Sequence, residues 1–181
     1  MGALKAKYLP HYTYDDYALW EGDWELIDGL PYAMAPAPMI RHQQISNKIA
    51  YVLEGALESC QNCMALVATD WKIAEDTVVC PDNLVICHQE QNQAYLTKAP
   101  QLIFEILSKS TAMKDRNLKF ELYEKEGVKY YVIVDPQSSV AKVYMLNSEG
   151  RYKKVADVTE EKLTFGLDRC TIAFDFATIW K

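Results

Sequence analysis

Between Arg41 and Ser59, Ile45, Ile49, Val52, Leu53, Ala56 and Leu57 return every three or four positions. That spacing gathers apolar side chains on one face and predicts an amphipathic α-helix. Elsewhere the period shortens. WELIDGLPYAM sets apolar runs on both sides of Asp28-Gly29, a pair that tolerates positive φ and predicts a β-hairpin. MALVATDWKI and TVVCPDNLVICH read as strands around a turn near Glu75-Asp76, with a break at Pro81. QLIFEILS is nearly continuous in apolar residues, as a central strand covered on both faces would be. A helix over about Asp115 to Lys125, stopped by Gly127, leads to KYYVIVDP, a second inner strand. VAKVYML extends the sheet, SEGRYKKVADV reads as a further hairpin, and a small strand or helical turn closes the chain.

Ahead of the first hairpin, Thr13 with Asp15 and Asp16 caps a short helix running to about Trp20. No Gly-, Ser- or Pro-rich linker divides the chain and no repeat recurs. Length and pattern therefore predict one α/β domain over residues 1–181, a mixed central sheet flanked by two principal helices, with a short N-terminal helical extension.

Composition changes this picture in three ways. A formal charge of −6 excludes a broad basic footprint for unspecific nucleic-acid binding, leaving only a local basic rim for that role. Cys60 and Cys63 form a lone CxxC without the second pair of a zinc ribbon, so free, partly buried thiols in a reducing cytoplasm are expected. The N-terminus lacks a secretory h-region and no stretch reaches membrane-spanning length, which predicts a soluble cytoplasmic protein with no membrane partner.

Candidate chemistry begins at Glu105, a carboxylate inside the apolar run QLIFEILS. Alternation sets Ile103, Glu105 and Leu107 on one face and Leu102, Phe104 and Ile106 on the other. A buried acid there needs a basic partner, a proton or a metal. Asp82, at the start of the preceding strand, either joins Glu105 as a hard oxygen ligand for Mg²⁺ or Mn²⁺ or caps the turn after Pro81. Lys119 falls at roughly 100° on a wheel that puts Leu122 at roughly 40° and Tyr123 at roughly 140°. It therefore faces the sheet, where it either snorkels past the core or aims its ammonium at the carboxylates. Glu25, among Trp24, Leu26 and Ile27, is a further acid if its hairpin crosses the cleft. His42 faces inward at the start of its helix, as a packing residue, a carboxylate partner or a phosphate contact. Gln43, Asp70 and Lys72 are candidates for the rim.

The runs WELIDGLPYAMAPAP, RHQQISNKI, VVCPDNLVIC, FEILSKST, KFELYEKEGVKYYVIVDP and KVYML closely resemble the Uma2 family, a domain of unknown function within the PD-(D/E)XK restriction-endonuclease-like superfamily. The resemblance spans about Tyr12 to Tyr152. It implies a restriction-endonuclease-like mixed sheet between helices, with acids on neighbouring strands holding a divalent metal. Asp82 takes the place of the motif aspartate and Glu105 that of its acidic partner. Leu107 stands where the motif lysine belongs, so the resemblance makes Lys119 the migrated amine and Glu25 the additional acid.

The expectation is a metal-dependent nuclease acting on DNA, with Mg²⁺ or Mn²⁺, no organic cofactor, and a homodimer suited to a duplex. Arg41, Lys109, Lys114 and Arg116 are its candidate phosphate contacts. A nuclease requires the carboxylates to converge with Lys119 lining the same opening. A non-catalytic nucleic-acid-binding or regulatory module keeps a basic groove and disperses the acids. A structural or homodimeric interaction domain buries Lys119 in a closed charge pair.

Overall fold

The computed structural model describes residues 9–34, 39–108 and 117–181. After helix α1 (Tyr14–Tyr17), strands β1 (Trp24–Ile27) and β2 (Leu30–Ala33) form the first hairpin. Asp28 and Gly29 both take positive φ, 50° and 74°, as a two-residue turn between twisted strands requires. A Cβ at Gly29 would also collide with the His11 ring. Thr13 and Asp16 close a capping box on α1.

Helix α2 (Ile40–Leu57) buries Ile45, Ile49, Leu53 and Leu57, the stripe its periodicity predicts. Strands β3 (Cys63–Val67), β4 (Trp71–Ala74), β5 (Thr77–Val79), β6 (Asn83–Cys87) and β7 (Leu102–Ile106) follow. Next come α3 (Lys119–Lys125), β8 (Tyr130–Asp135), β9 (Val140–Leu146) and β10 (Tyr152–Val158). A last hairpin of β11 (Lys162–Gly166) and β12 (Thr171–Asp175) leads to α4 (Ala177–Trp180).

The central sheet runs β10-β9-β8-β7-β6-β3 and is mixed, with β7 and β8 its parallel pair. The remaining strands do not join it, contrary to the single sheet expected. A four-stranded sheet in the order β2-β1-β5-β4 packs beside it, and β11 pairs only with β12. The two long strand-forming runs each divide between sheets. One breaks after β3 at Ala68, whose φ is 45°, and the other at Pro81, which has no amide hydrogen to give to a ladder. Both breaks meet at one point, where the Ala68 amide donates to the Asp82 carbonyl at 3.1 Å.

Strands β6 and β7 are buried along their whole length, and β8 in all but its last residue. On one face, Phe104, Ile106, Val132 and Val134 pack with α2, Phe165, Phe174 and Phe176. On the other, Ile103, Tyr131 and Ile133 pack with Leu122 and Tyr123 of α3 and with Ile27, Trp71 and Val79 of the smaller sheet.

The cysteines overturn the free-thiol expectation. Cys60 pairs with Cys170 and Cys63 with Cys87, leaving Cys80 the free thiol among the described residues. Cys63 and Cys87 lie directly opposite in the β3–β6 ladder, a proximity that pairing creates across a separation of 24 residues. No helix among the described residues is long and apolar enough to cross a membrane.

Candidate functional site

Three charged side chains from three elements meet on the α3 side of the central sheet. Glu105 of β7 is 2% exposed, Glu25 of β1 0% and Lys119 of α3 2%. The Lys119 Nζ lies 2.8 Å from Glu105 Oε1 and 2.7 Å from Glu25 Oε1. The Tyr123 hydroxyl donates to Glu105 Oε1 at 2.7 Å, and the Cys80 amide to Glu25 Oε1 at 2.9 Å. Burial, then the Glu105 and Glu25 charges, hold the Tyr123 hydroxyl well above its ordinary range, so it stays a donor. Burial likewise pushes the Cys80 thiol up, with Asp70 and Glu25 adding to it.

Local sequence explains this convergence. Alternation on β7 turns Glu105 away from Phe104 and toward α3. One helical turn sets Lys119 and Tyr123 on the same face, so both reach Glu105. Gly127, at φ 80°, ends the helix beyond them. The break at Pro81 leaves the Cys80 amide outside any ladder and available to Glu25.

Asp82 sits just before β6. The β6–β7 ladder pairs Asn83 with Phe104, so one further step sets Asp82 across from Glu105. Asp82 Oδ2 accepts from the Ile106 amide at 2.7 Å and lies 3.2 Å from His42 Nε2. Both side chains keep some solvent contact, His42 15% and Asp82 19%. The five sequence candidates thus form two groups: a sealed Glu25–Lys119–Glu105 triad and a more open His42–Asp82 pair. The backbone of Glu105 and Ile106 connects them.

Residues 14–168 match the model of the Uma2 family, described as "Putative restriction endonuclease". The chain belongs to the Uma2 family. It is also similar to a solved structure titled as a "putative nuclease belonging to DUF820" from Anabaena variabilis ATCC 29413. That likeness covers 93% of this chain and 97% of the other, at a TM-score of 0.73 and 17% identity, and so concerns the fold. No curated protein matches this chain.

Among the described residues of this Uma2 chain, no three His, Cys, Asp or Glu side chains are grouped to hold a metal. Carboxylate oxygens are the donor type that a hard divalent ion takes. Asp82 and Glu105 take opposed ladder positions on adjoining strands, and Mg²⁺ characteristically takes one or two carboxylates and keeps several waters. The Lys119 ammonium already sits as a cation between two acids.

Of the other predicted residues, Arg41 and Lys72 lie elsewhere, whereas Asp70 lies beside Cys80 and Glu25. Arg41 donates to the Trp180 carbonyl at 2.9 Å and to Gln44 at 3.2 Å, holding α2 to the C-terminal helix. Lys72 pairs with Glu75 at 2.7 Å over the Tyr14 ring. Asp70 accepts from the Tyr17 hydroxyl at 2.9 Å, and burial raises its carboxyl above the ordinary value. Lys109, Lys114 and Arg116 fall outside the described residues.

Sequence reasoning left out Tyr123 and Lys142. Tyr123 enters the sequence pattern only as a mark on the helical face that meets the sheet, although its place one turn after Lys119 is the available signal. Lys142 carried no signal at all. Ladder pairing puts it beside Ile133, which itself pairs with Glu105, so Lys142 shares their row across the sheet. It lines a cavity of about 240 Å³ with Phe120, Ile133 and Tyr144.

Proposed function

We propose that this Uma2 chain is a divalent-metal-dependent nuclease hydrolysing phosphodiester bonds in DNA. The observation that carries this reading is the meeting of two buried acids on one lysine, with a third acid across the ladder from Glu105. Asp82 and Glu105 are the residues that would hold Mg²⁺ or Mn²⁺, and Glu25 supports them through Lys119. Such an ion supplies polarisation of the phosphate and a more acidic bound water.

The chain's own groups perform the remaining tasks. Two carboxylates within 2.8 Å favour the ammonium form of Lys119, so its part is to stabilise charge developing on the phosphate rather than to abstract a proton. Tyr123 and the Cys80 amide fix the orientations of Glu105 and Glu25. His42 orients Asp82 from the helix that flanks the ladder. Lys142, with Phe120 and Tyr144 beside it, fits a phosphate and a stacked base on the same face. Cutting both strands of a duplex calls for two such sites, which a homodimer provides.

The test is cleavage of single- and double-stranded DNA, with RNA alongside, in Mg²⁺ or Mn²⁺. Glu105→Gln and Asp82→Asn are expected to lower the metal-dependent rate by on the order of 10²-fold or more while leaving the fold intact. Equal cleavage by wild type and Glu105→Gln overturns the mechanism.

The closure of the triad favours a second reading, in which Glu25, Lys119 and Glu105 are a structural ion cluster. The fold then serves a non-catalytic nucleic-acid-binding, regulatory or homodimeric interaction role. Calorimetric titration with Mn²⁺ separates the two. A catalytic site takes up the ion in a way that Glu105→Gln weakens, and a structural cluster takes up none.

A further inference from the structure

The CxxC motif joins the end of α2 remote from His42 to the start of β3, and the proposed hydrolysis does not use it. Cys60 follows α2, Cys63 opens β3, Cys87 closes β6 and Cys170 lies between β11 and β12. A cavity of about 260 Å³ opens beside them, with Cys63, Cys170, His88, Asp168 and Arg169 in its wall. One sulfur-bearing residue of each disulfide therefore faces this space. Their partners do not line it: Cys60 is 5% exposed and Cys87 7%, both within the apolar core.

The two disulfides are also adjacent in the chain. The Cys63 amide donates to the Cys60 carbonyl at 3.4 Å, and Asn62 between them takes φ 69°. A turn of this kind brings its end Cα atoms within about 7 Å, inside the span that a disulfide bridges. Cys60 can thus reach the sulfur of Cys63 once it is released from Cys170.

We propose that these four cysteines form a thiol–disulfide exchange relay, opened at this cavity by a dithiol reductant. A reductant thiolate attacks Cys170 Sγ, forms a mixed disulfide and expels the Cys60 thiolate. Cys60 then attacks Cys63 Sγ, closing a Cys60–Cys63 disulfide and releasing Cys87, which takes up a proton within the apolar core. The second reductant thiol attacks its own sulfur in the mixed disulfide and frees Cys170 as a thiol. Two disulfides and one dithiol become one disulfide, the thiols of Cys87 and Cys170, and one oxidised reductant. Two electrons and two protons pass to the protein.

The direction follows from the environments. The cavity wall offers an approaching thiolate the Arg169 guanidinium, which the Asp168 carboxylate shares at 3.7 Å. Cys87, once released, is a small apolar side chain in an apolar cluster. The exchange replaces bridges across 110 and 24 residues by one local loop. It removes the covalent ties of the end of α2 to the last hairpin and of edge strand β3 to β6, leaving the β3–β6 ladder as their noncovalent link.

The experiment is acid-quenched thiol alkylation and non-reducing peptide mapping of the full chain, equilibrated over a series of reduced-to-oxidised dithiothreitol ratios. Without reductant, Cys80 alone is expected to be alkylated, with the bridges Cys60–Cys170 and Cys63–Cys87. The two-electron-reduced species is expected to carry Cys60–Cys63, with Cys87 and Cys170 newly alkylated. A two-electron-reduced species that keeps either original bridge overturns the relay, as does a chain with all five cysteines alkylated before reductant is added. Cys87→Ser gives an independent check without reductant. It should equilibrate between Cys60–Cys63 and Cys60–Cys170, and exclusive retention of Cys60–Cys170 overturns the relay.

Discussion

Strand β7 separates two apolar interiors, and only one of them holds a buried charge cluster. On one side Phe104, 0% exposed, packs against Phe165, Phe174 and Phe176 at ring distances of 5.0–6.5 Å. On the other side the neighbouring residue, Glu105, enters a cluster of two acids and one lysine. Apolar burial is non-directional and tolerates exchange of side chains of similar volume. The charged cluster holds only while each member satisfies the others, because a lone buried charge is costly. Both faces therefore stabilise the fold through apolar burial, and the α3 face commits some of that stability to a charged arrangement.

Two substitutions of similar magnitude separate the faces. Phe104→Ala should cost about 3–5 kcal/mol through the cavity it leaves, with nothing elsewhere to offset it. Lys119→Met should cost about 3–5 kcal/mol by leaving two carboxylates buried together. The triple variant Glu25→Gln/Glu105→Gln/Lys119→Met should recover most of that second loss, since the two acids and the lysine lose their charges together. Denaturant midpoints decide the matter, and a Lys119→Met cost below about 1 kcal/mol would mean that the charged face is open rather than sealed.

A smaller effect tests the covalent tie behind the apolar face. Cys60→Ser/Cys170→Ser should lower stability by about 2–4 kcal/mol under non-reducing conditions. In excess reductant, wild type and variant should converge.

The smallest effect lies beside the charged face. Asp70 titrates above its ordinary carboxylate value of 3.8 in the folded chain, chiefly because it is buried. Its ionised form is thus disfavoured by folding. That penalty is absent below the unfolded pKa and complete above the raised folded one. Asp70→Asn keeps an acceptor for Tyr17 and should raise the melting temperature slightly at neutral pH. The gain should disappear as the pH falls below the ordinary carboxylate range, and a gain independent of pH would assign it to packing.

Much of this fold was legible in advance. Asp28-Gly29 marked its hairpin, the three-to-four spacing marked α2, and the apolar run marked β7, because each signal lies within one element. The division into separate sheets was not legible. Ala68 looks ordinary within a strand-forming run, and only its partner across the molecule reveals the break. The inward turn of Lys119 followed from helical geometry, and the opposite facing of Glu105 and Phe104 from strand alternation. The row from Glu105 through Ile133 to Lys142 did not, because it depends on ladder register between strands that are distant in sequence.

The disulfides draw the same line most sharply. Sequence alone established five cysteines, one CxxC, and one acid in an apolar strand with a lysine on the helix that follows. Tertiary structure decided that Cys60 and Cys63 each bond to a distant partner, and that Lys119 serves Glu25 and Glu105 together. Local periodicity sets which way a side chain points, but the group that meets it there is chosen by the packing of the whole chain.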